Sequence, residues 1–197
     1  MQPDWEASTS RDQTSAILMI IGSLIFGTGA QVGVPKVFTE RDPNTRLRLL
    51  EQGLTAWRVA QPLYGVGPMV VAMAVGYLAA TTPSASSRIV LAAASVALVV
   101  GVLAWSWSLF LRSTRISDFA FGRLPGWPFR TYVLLTIGGL ILLGVDFLIE
   151  GLPIWLGWLI IGASIVFLAA YLRFSDIPPF VFYVLLLVAG VALLISR

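Results

Sequence analysis

The chain has 197 residues, of which 57% are hydrophobic and 12% are charged, and its formal net charge is +3. A soluble domain carries about 25% charged residues, so this sequence has too few polar side chains to cover a water-facing surface. It contains no Cys and no His, which excludes thiolate zinc sites, iron–sulfur clusters, His-ligated haem and Ser-His-Asp or Cys-His catalysis. We therefore predict an integral membrane protein that has no catalytic machinery, no cofactor and no metal site.

The first 15 residues, "MQPDWEASTSRDQTS", form a polar tail that precedes the first apolar run. A secretory signal begins with a basic region, whereas this tail places Asp4, Glu6 and Asp12 against Arg11 alone. The first apolar run is therefore expected to remain in the mature protein as a membrane span.

Apolar runs of the length that a membrane-spanning helix needs, about 20 residues, recur along the chain. None contains Lys or Arg, and because backbone amides in lipid must pair internally, each run is predicted to be helical. Segments such as "IVLAAASVALVVGVLA" are apolar on every face, unlike the alternating strands of a membrane barrel. The sequence predicts a single domain, an all-α polytopic bundle with six transmembrane helices at residues 15–34, 60–80, 89–111, 132–152, 154–171 and 178–196.

The segment between the first two spans is predicted to form an amphipathic helix over residues 43–58. Asp42 followed by Pro43 is typical of a helix start, and a stripe of apolar side chains follows at helical spacing, with charged residues beside it. The stripe consists of Leu47, Leu50, Leu54 and Trp57. Such a helix lies in the interface plane, where it acts either as a membrane anchor or as a docking surface for a partner.

Four arginines between the third and fourth spans alternate with aromatic side chains: Arg112, Arg115, Arg123 and Arg130 with Phe119, Phe121, Trp127 and Phe129. Basic and aromatic residues in this pattern occur in proteins that bind single-stranded nucleic acid. Beside a membrane, however, the pattern favours contact with anionic lipid headgroups. We therefore predict that these four arginines contact lipid headgroups and that the chain has no nucleic-acid partner.

The distribution of basic residues predicts the orientation in the membrane. If the six spans alternate, ten of the 13 Lys and Arg residues fall on one side. Because positively charged loops stay in the cytoplasm, both termini are predicted to lie outside the cell. The chain has 12 Arg and one Lys, a bias typical of a GC-rich prokaryotic genome, so the expected location is the plasma membrane of a prokaryote.

Two carboxylates interrupt the apolar segment "LILLGVDFLIEGLPIW" near the end of the fourth span. Asp146 and Glu150 are four residues apart and therefore share one helix face. Glu150 precedes a Gly-Leu-Pro turn and is expected to reach water, whereas Asp146 lies about 6 Å deeper, at about 1.5 Å per residue. Asp146 is accordingly the main candidate for a functional group, and Arg88 and Arg197 are its expected cationic partners.

Gln31 is a further candidate, because it lies near the end of the first span among Gly27, Gly29 and Gly33. The glycines indicate close helix packing. A Gln at this position either forms a hydrogen bond to a neighbouring helix or lines a polar cavity, and the sequence leaves both interpretations open.

These features favour an accessory, scaffold or lipid-interacting membrane protein whose partners are membrane lipids, a membrane protein or a second copy of the chain. The alternative is a small proton- or cation-coupled transporter or channel that uses Asp146. A loose similarity between residues 20–35 and 136–153 would favour this alternative if it marks an inverted repeat. A lipid-modifying enzyme using Asp146 and Glu150 is disfavoured, because the sequence has no Asp-rich magnesium motif.

Overall fold

The protein folds into α-helices, as predicted, and the residues that the structure describes form no strand. The computed structural model describes residues 4–150 and 153–195, and the side chains from Asp12 onward within these ranges. The helices in these ranges are α1 (Asp4–Val32), α2 (Lys36–Thr39), α3 (Pro43–Gln52), α4 (Leu54–Thr81), α5 (Ala85–Thr114), α6 (Ile116–Ala120), α7 (Trp127–Ile149), α8 (Ile154–Phe174) and α9 (Phe180–Ile195).

Five helices are long and apolar enough to cross a membrane: α1 from Asp12 to Val32, α4, α5, α7 and α8. They contain 21 to 30 residues each, whereas the apolar helix α9 has 16. Several helices continue beyond the predicted spans, because helical hydrogen bonding does not stop where the apolar composition ends. The last residues of the runs predicted at 132–152 and 178–196 lie outside the described residues.

The apolar helices pack side by side around a shared core. α1 packs against α4 and α9, α5 packs against α4 and α7, and α7 packs against α8, with a smaller contact between α8 and α9. The largest fully buried side chains in this core include Met19, Tyr132, Leu140, Phe147 and Phe182. This arrangement places the ends of different helices together, and each end of the bundle therefore combines residues that are distant in sequence.

Two helix crossings depend on glycines that allow backbone-to-backbone contact. A Cβ atom on Gly22 of α1 would lie 2.7 Å from the carbonyl oxygen of Gly67 in α4, and a Cβ atom on Gly67 would lie 2.6 Å from that of Gly22. Gly144 of α7 and Gly157 of α8 have the same reciprocal relationship at 2.9 Å. Small residues permit such close approach between helices in membranes, where packing replaces the hydrophobic effect as the driving force.

Three short helices, α2, α3 and α6, form a cap over one end of the bundle. A small core of Val37, Leu50, Trp57 and Ala120 holds the cap together, and each of these side chains is at most 1% exposed. Arg46 of α3 strengthens the cap, since its guanidinium donates hydrogen bonds to the carbonyl oxygens of Ala120, at 3.1 Å, and Glu40. We call this end of the bundle the arginine end, and the opposite end, where Asp146 lies, the carboxylate end.

The helix predicted over residues 43–58 is divided between α3 and α4. Gly53 separates them with a non-helical backbone conformation, and a Cβ atom on it would lie 2.6 Å from the Val34 side chain. The predicted start is present, because the Asp42 carboxylate accepts hydrogen bonds from the side chain and the backbone N–H of Thr45. These hydrogen bonds hold the pKa of Asp42 below its ordinary value, so the cap of α3 weakens only as the pH falls through that lowered pKa.

The interior of α4 contains Pro62 and Pro68. A proline has no N–H, so the carbonyl group four residues earlier loses its helical partner. At Pro68 this carbonyl belongs to Tyr64, and the indole N–H of Trp105 in α5 donates a hydrogen bond to it at 2.9 Å. A side chain from the neighbouring helix thus replaces the backbone donor that the proline removes.

Candidate functional site

Residues of five helices line a small cavity at the carboxylate end. The cavity has a volume of about 10 Å³ and is lined by Asp12, Leu78, Thr82, Ser87, Leu91, Asp146, Phe147 and Leu193. A space of this size holds about one water molecule. Both carboxylates are deeply buried, with Asp12 1% and Asp146 2% exposed. The structure therefore brings the predicted candidate Asp146 together with Asp12, which the sequence places in the polar N-terminal tail.

Asp146 is held from α5 by the hydroxyl group of Ser87, which donates a hydrogen bond to its carboxylate. Ser87 is fully buried and lies in the first turn of α5, where its N–H donates to the capping side chain of Ser84 at 3.3 Å. The Ser84 N-cap therefore fixes the first turn of α5, which carries Ser87, and Ser87 orients the Asp146 carboxylate.

Thr82 also lines this cavity, and Arg88 contacts Thr82. The Thr82 hydroxyl is buried and has no hydrogen-bond partner among the described residues, so it can bind a cavity water. Arg88, an expected partner of Asp146, donates a hydrogen bond to the Thr82 carbonyl oxygen at 3.1 Å. The other expected partner, Arg197, lies outside the described residues.

The remaining acidic and amide candidates lie at different places in the bundle. Glu150 caps the C-terminal end of α7, where its N–H donates to the Asp146 carbonyl oxygen at 2.9 Å, and Glu150 is half-buried. Gln31 is exposed and lines a groove of about 660 Å³ between α1 and α9, together with Ser23, Thr28 and Tyr183. Gln31 and Asp146 therefore do not belong to one site.

Arg112 is half-buried in an aromatic cage at the arginine end. Its guanidinium carbon lies 4.8 Å from the ring centroid of Trp105, 5.2 Å from that of Phe119 and 5.8 Å from that of Phe129. Its carbonyl oxygen accepts a hydrogen bond from the indole of Trp57 at 3.1 Å. These contacts join α5 to the cap through cation–π attraction, a structural role that sequence spacing did not reveal.

Arg115, Arg123 and Arg130, the other three arginines predicted to contact headgroups, are exposed at the same end. Arg123 pairs with Asp118 at 3.3 Å and lies over the ring of Phe121. Because the pair is exposed to solvent, it contributes little to stability. The three side chains are accessible to solvent.

An aromatic cluster fills the bundle interior next to Arg112, and sequence analysis did not identify it. The hydroxyl groups of Tyr132 and Tyr183 are hydrogen-bonded at 2.9 Å. Trp105 stacks on Tyr132 with ring centroids 4.8 Å apart, and Phe26 stacks on Tyr183 at 4.0 Å. Aromatic residues near span ends are typical of interfacial belts, and only the helix packing shows that these rings face inward.

The described residues contain no group of three or more acidic side chains arranged to hold a metal ion. Comparison with protein-family models, curated proteins and solved structures found no significant match. The function is therefore inferred from the chemistry of the two ends of the bundle.

Proposed function

We propose that this protein is a non-enzymatic, lipid-interacting scaffold of six membrane spans that binds anionic phospholipids at its cytoplasmic, arginine end. The proposed binding partner of the scaffold is another membrane protein or a second copy of the chain. We further propose that the protein resides in the plasma membrane of a prokaryote, with both termini outside the cell. The absence of Cys and His from the chain supports a role without catalysis.

The main support for this proposal is the set of side chains exposed at the arginine end. Arg115, Arg123 and Arg130 are exposed there, and so are large aromatic side chains, including Trp127, which is 58% exposed, and Phe38, which is 52% exposed. Arginines attract anionic headgroups, and aromatic rings favour the boundary between headgroups and acyl chains. An end of the bundle that presents both kinds of side chain is suited to bind an anionic leaflet.

The packing of α9 supports its assignment as the sixth span, although it has only 16 residues. Tyr183, near its start, stacks on Phe26 of α1, and Leu193, near its end, lines the cavity that also contains Asp12. α9 therefore extends from the aromatic cluster to the carboxylate end. With six spans, the basic loops fall on one side, which the positive-inside rule places in the cytoplasm. In this orientation, α3 lies at the cytoplasmic surface of the membrane.

The proposal predicts that the purified protein binds phosphatidylglycerol in preference to phosphatidylcholine. Each exposed arginine near an anionic surface contributes on the order of 1 kcal/mol, so replacing Arg115, Arg123 and Arg130 together by Gln is expected to reduce the preference by about tenfold or more. Native mass spectrometry of protein released from mixed-lipid nanodiscs measures the number of each lipid retained.

The matched control replaces the same three arginines by Lys, which preserves the charge. This variant is expected to retain most of the preference, because attraction to a leaflet depends mainly on charge. Equal retention of both lipids by the unmodified protein would contradict the proposed function.

A second candidate function is proton- or cation-coupled transport through Asp146. One observation favours it: Asp12 and Asp146 are buried on the same water-sized cavity. Ionisable residues within membrane segments are rare and commonly mark proton or ion pathways. The cavity is small, so this function requires the helices to move during each transport cycle.

Transport through Asp146 predicts that the reconstituted protein acidifies or alkalinises liposomes under a proton or cation gradient, and that Asp146→Asn abolishes this flux. A pH-sensitive dye inside the liposomes measures it. Asp118→Asn is the control, because Asp118 is 41% exposed at the opposite end. Flux that is absent in the unmodified protein, or unchanged in Asp146→Asn, would exclude this function.

A further inference from the structure

A groove of about 580 Å³ between α4 and α5 opens beside the cap at the arginine end. Its lining combines one cation, an amide, three hydroxyl groups and apolar surface, contributed by Arg58, Gln61, Pro62, Gly65, Ser106, Leu109, Phe110, Ser113 and Thr114. None of these residues is Arg115, Arg123 or Arg130, and none of them lines the carboxylate cavity. The groove is therefore a separate candidate site.

Gln61 is the most informative residue of the groove because one of its polar atoms has no partner. The residue is 5% exposed, and its side-chain N–H donates to the Trp57 carbonyl oxygen at 3.2 Å. Its side-chain oxygen is buried without a hydrogen bond from any described residue. Leaving a buried acceptor unsatisfied is costly, so this oxygen favours a ligand that brings a donor into the groove.

Other groups in the groove add to this excess of acceptors. Pro62 has no N–H, so the Arg58 carbonyl lacks its usual donor four residues later. The hydroxyl groups of Ser113 and Thr114 both donate to the Phe110 carbonyl oxygen at 2.8 Å. Their oxygen atoms can therefore only accept hydrogen bonds from a ligand. The exposed guanidinium of Arg58 provides the positive charge.

We infer that this groove binds one anionic phospholipid whose headgroup carries hydroxyl groups, such as phosphatidylglycerol. Arg58 contacts the phosphate through charge-assisted hydrogen bonds, and the Gln61 side-chain oxygen accepts a hydrogen bond from a headgroup hydroxyl. Gly65, Leu109 and Phe110 contact the first part of an acyl chain. The inference rests on the proposed binding of anionic lipid and deepens it, because it assigns one headgroup class to one site.

The first test counts tightly bound lipid by native mass spectrometry after release from nanodiscs that contain phosphatidylglycerol and phosphatidylcholine. One phosphatidylglycerol molecule is expected to survive the collisional energy that removes the others. Arg58→Gln should lower its occupancy by about tenfold, the effect of losing a hydrogen bond to a charged group. Arg41→Gln is the matched control, because Arg41 is exposed at the same end and lies outside the groove lining.

The second test examines headgroup recognition with phosphatidylmethanol, which has the same charge as phosphatidylglycerol but no headgroup hydroxyl. The unmodified protein is expected to prefer phosphatidylglycerol by about fivefold to tenfold, the usual effect of one neutral hydrogen bond. Gln61→Met should remove this preference while anionic lipid still binds. Excess glycerol 3-phosphate should leave the adduct in place, since the lipid rather than a free phosphate is the ligand.

The outcomes separate the inference from the proposed function. If the unmodified protein prefers anionic lipid but Arg58→Gln behaves like Arg41→Gln, the groove is not the site and the inference is overturned, while the proposed function stands. Equal binding of phosphatidylglycerol and phosphatidylmethanol would likewise overturn the role of Gln61. Absence of any anionic preference in the unmodified protein would contradict both.

Discussion

Replacing Gly67 by alanine is expected to lower the free energy of unfolding by about 1–3 kcal/mol, the usual effect of overpacking a well-packed interior. The added Cβ atom would lie 2.6 Å from the Gly22 carbonyl oxygen and 2.8 Å from the Phe26 backbone nitrogen. Both are backbone atoms and cannot rotate away as a flexible side chain can. α1 and α4 must therefore separate, which weakens contacts along the whole crossing.

Gly27→Ala is the matched control for this prediction, because a Cβ atom on Gly27 has no atom within 4 Å among the described residues. Both variants add one methyl group to the α1–α4 pair, Gly67→Ala at the close crossing and Gly27→Ala away from it. Thermal unfolding in a mild detergent, followed by the loss of monodisperse protein, should show a lower midpoint for Gly67→Ala and an unchanged or slightly higher midpoint for Gly27→Ala, because alanine favours a helix over glycine. Equal midpoints in the two variants would contradict the close α1–α4 crossing.

Replacing Asp146 by alanine is expected to destabilise the protein by about 1–3 kcal/mol, the usual cost of leaving a buried hydrogen-bonding group unsatisfied. Asp146 is 2% exposed, and its carboxylate accepts a hydrogen bond from the fully buried Ser87. The alanine leaves the Ser87 hydroxyl without this acceptor. Asp146→Asn should have a smaller effect, because its amide oxygen can still accept the hydrogen bond.

A double-mutant cycle with Ser87→Ala measures this contact directly. Within a membrane bundle, interhelical hydrogen bonds contribute on average about 0.6 kcal/mol and at most about 1.7 kcal/mol, so a coupling energy in that range is expected. Asp118→Ala is the control, since its ion pair with Arg123 is exposed and contributes about 0–1 kcal/mol. If Asp146→Ala is no more destabilising than Asp118→Ala, the carboxylate is not a structural element of the carboxylate end.

The helical class was predictable from composition, because long runs that are apolar on every face can satisfy their backbone in lipid only as helices. α4, α5 and α8 contain the predicted runs 60–80, 89–111 and 154–171 in full. The same uniform apolarity explains why the packing was not predictable. When lipid and protein neighbours are equally apolar, periodicity does not distinguish the buried face of a helix from the exposed one.

The glycines of α1 illustrate this difficulty. Small-residue spacing identifies Gly29 and Gly33, and a Cβ atom on Gly29 would lie 3.0 Å from Leu63. Among these glycines, however, Gly22 comes closest to α4, since a Cβ atom on it would lie 2.7 Å from the Gly67 carbonyl oxygen, and spacing alone does not distinguish it. The face that meets α4 is determined by the whole bundle.

The candidate site was predictable only in part. Asp146 is conspicuous because it interrupts an apolar run. Asp12 belongs to a tail with several other polar residues, and its burial arises because α1 begins at Asp4 and places Asp12 beside the ends of α4, α5 and α9. Arg112 appears in sequence to begin a basic loop, but it lies in the last turn of α5, among aromatic rings that come from different parts of the chain.

The hydrogen bond from Trp105 to the Tyr64 carbonyl has a consequence for the biogenesis of the protein. Pro68 leaves that carbonyl without a donor inside α4, and the donor arrives only with α5. As the chain enters the membrane, α4 alone would expose an unsatisfied carbonyl to lipid, which is costly. The α4–α5 hairpin, rather than the single helix, is therefore the smallest unit of insertion in which the backbone of α4 is satisfied at Tyr64.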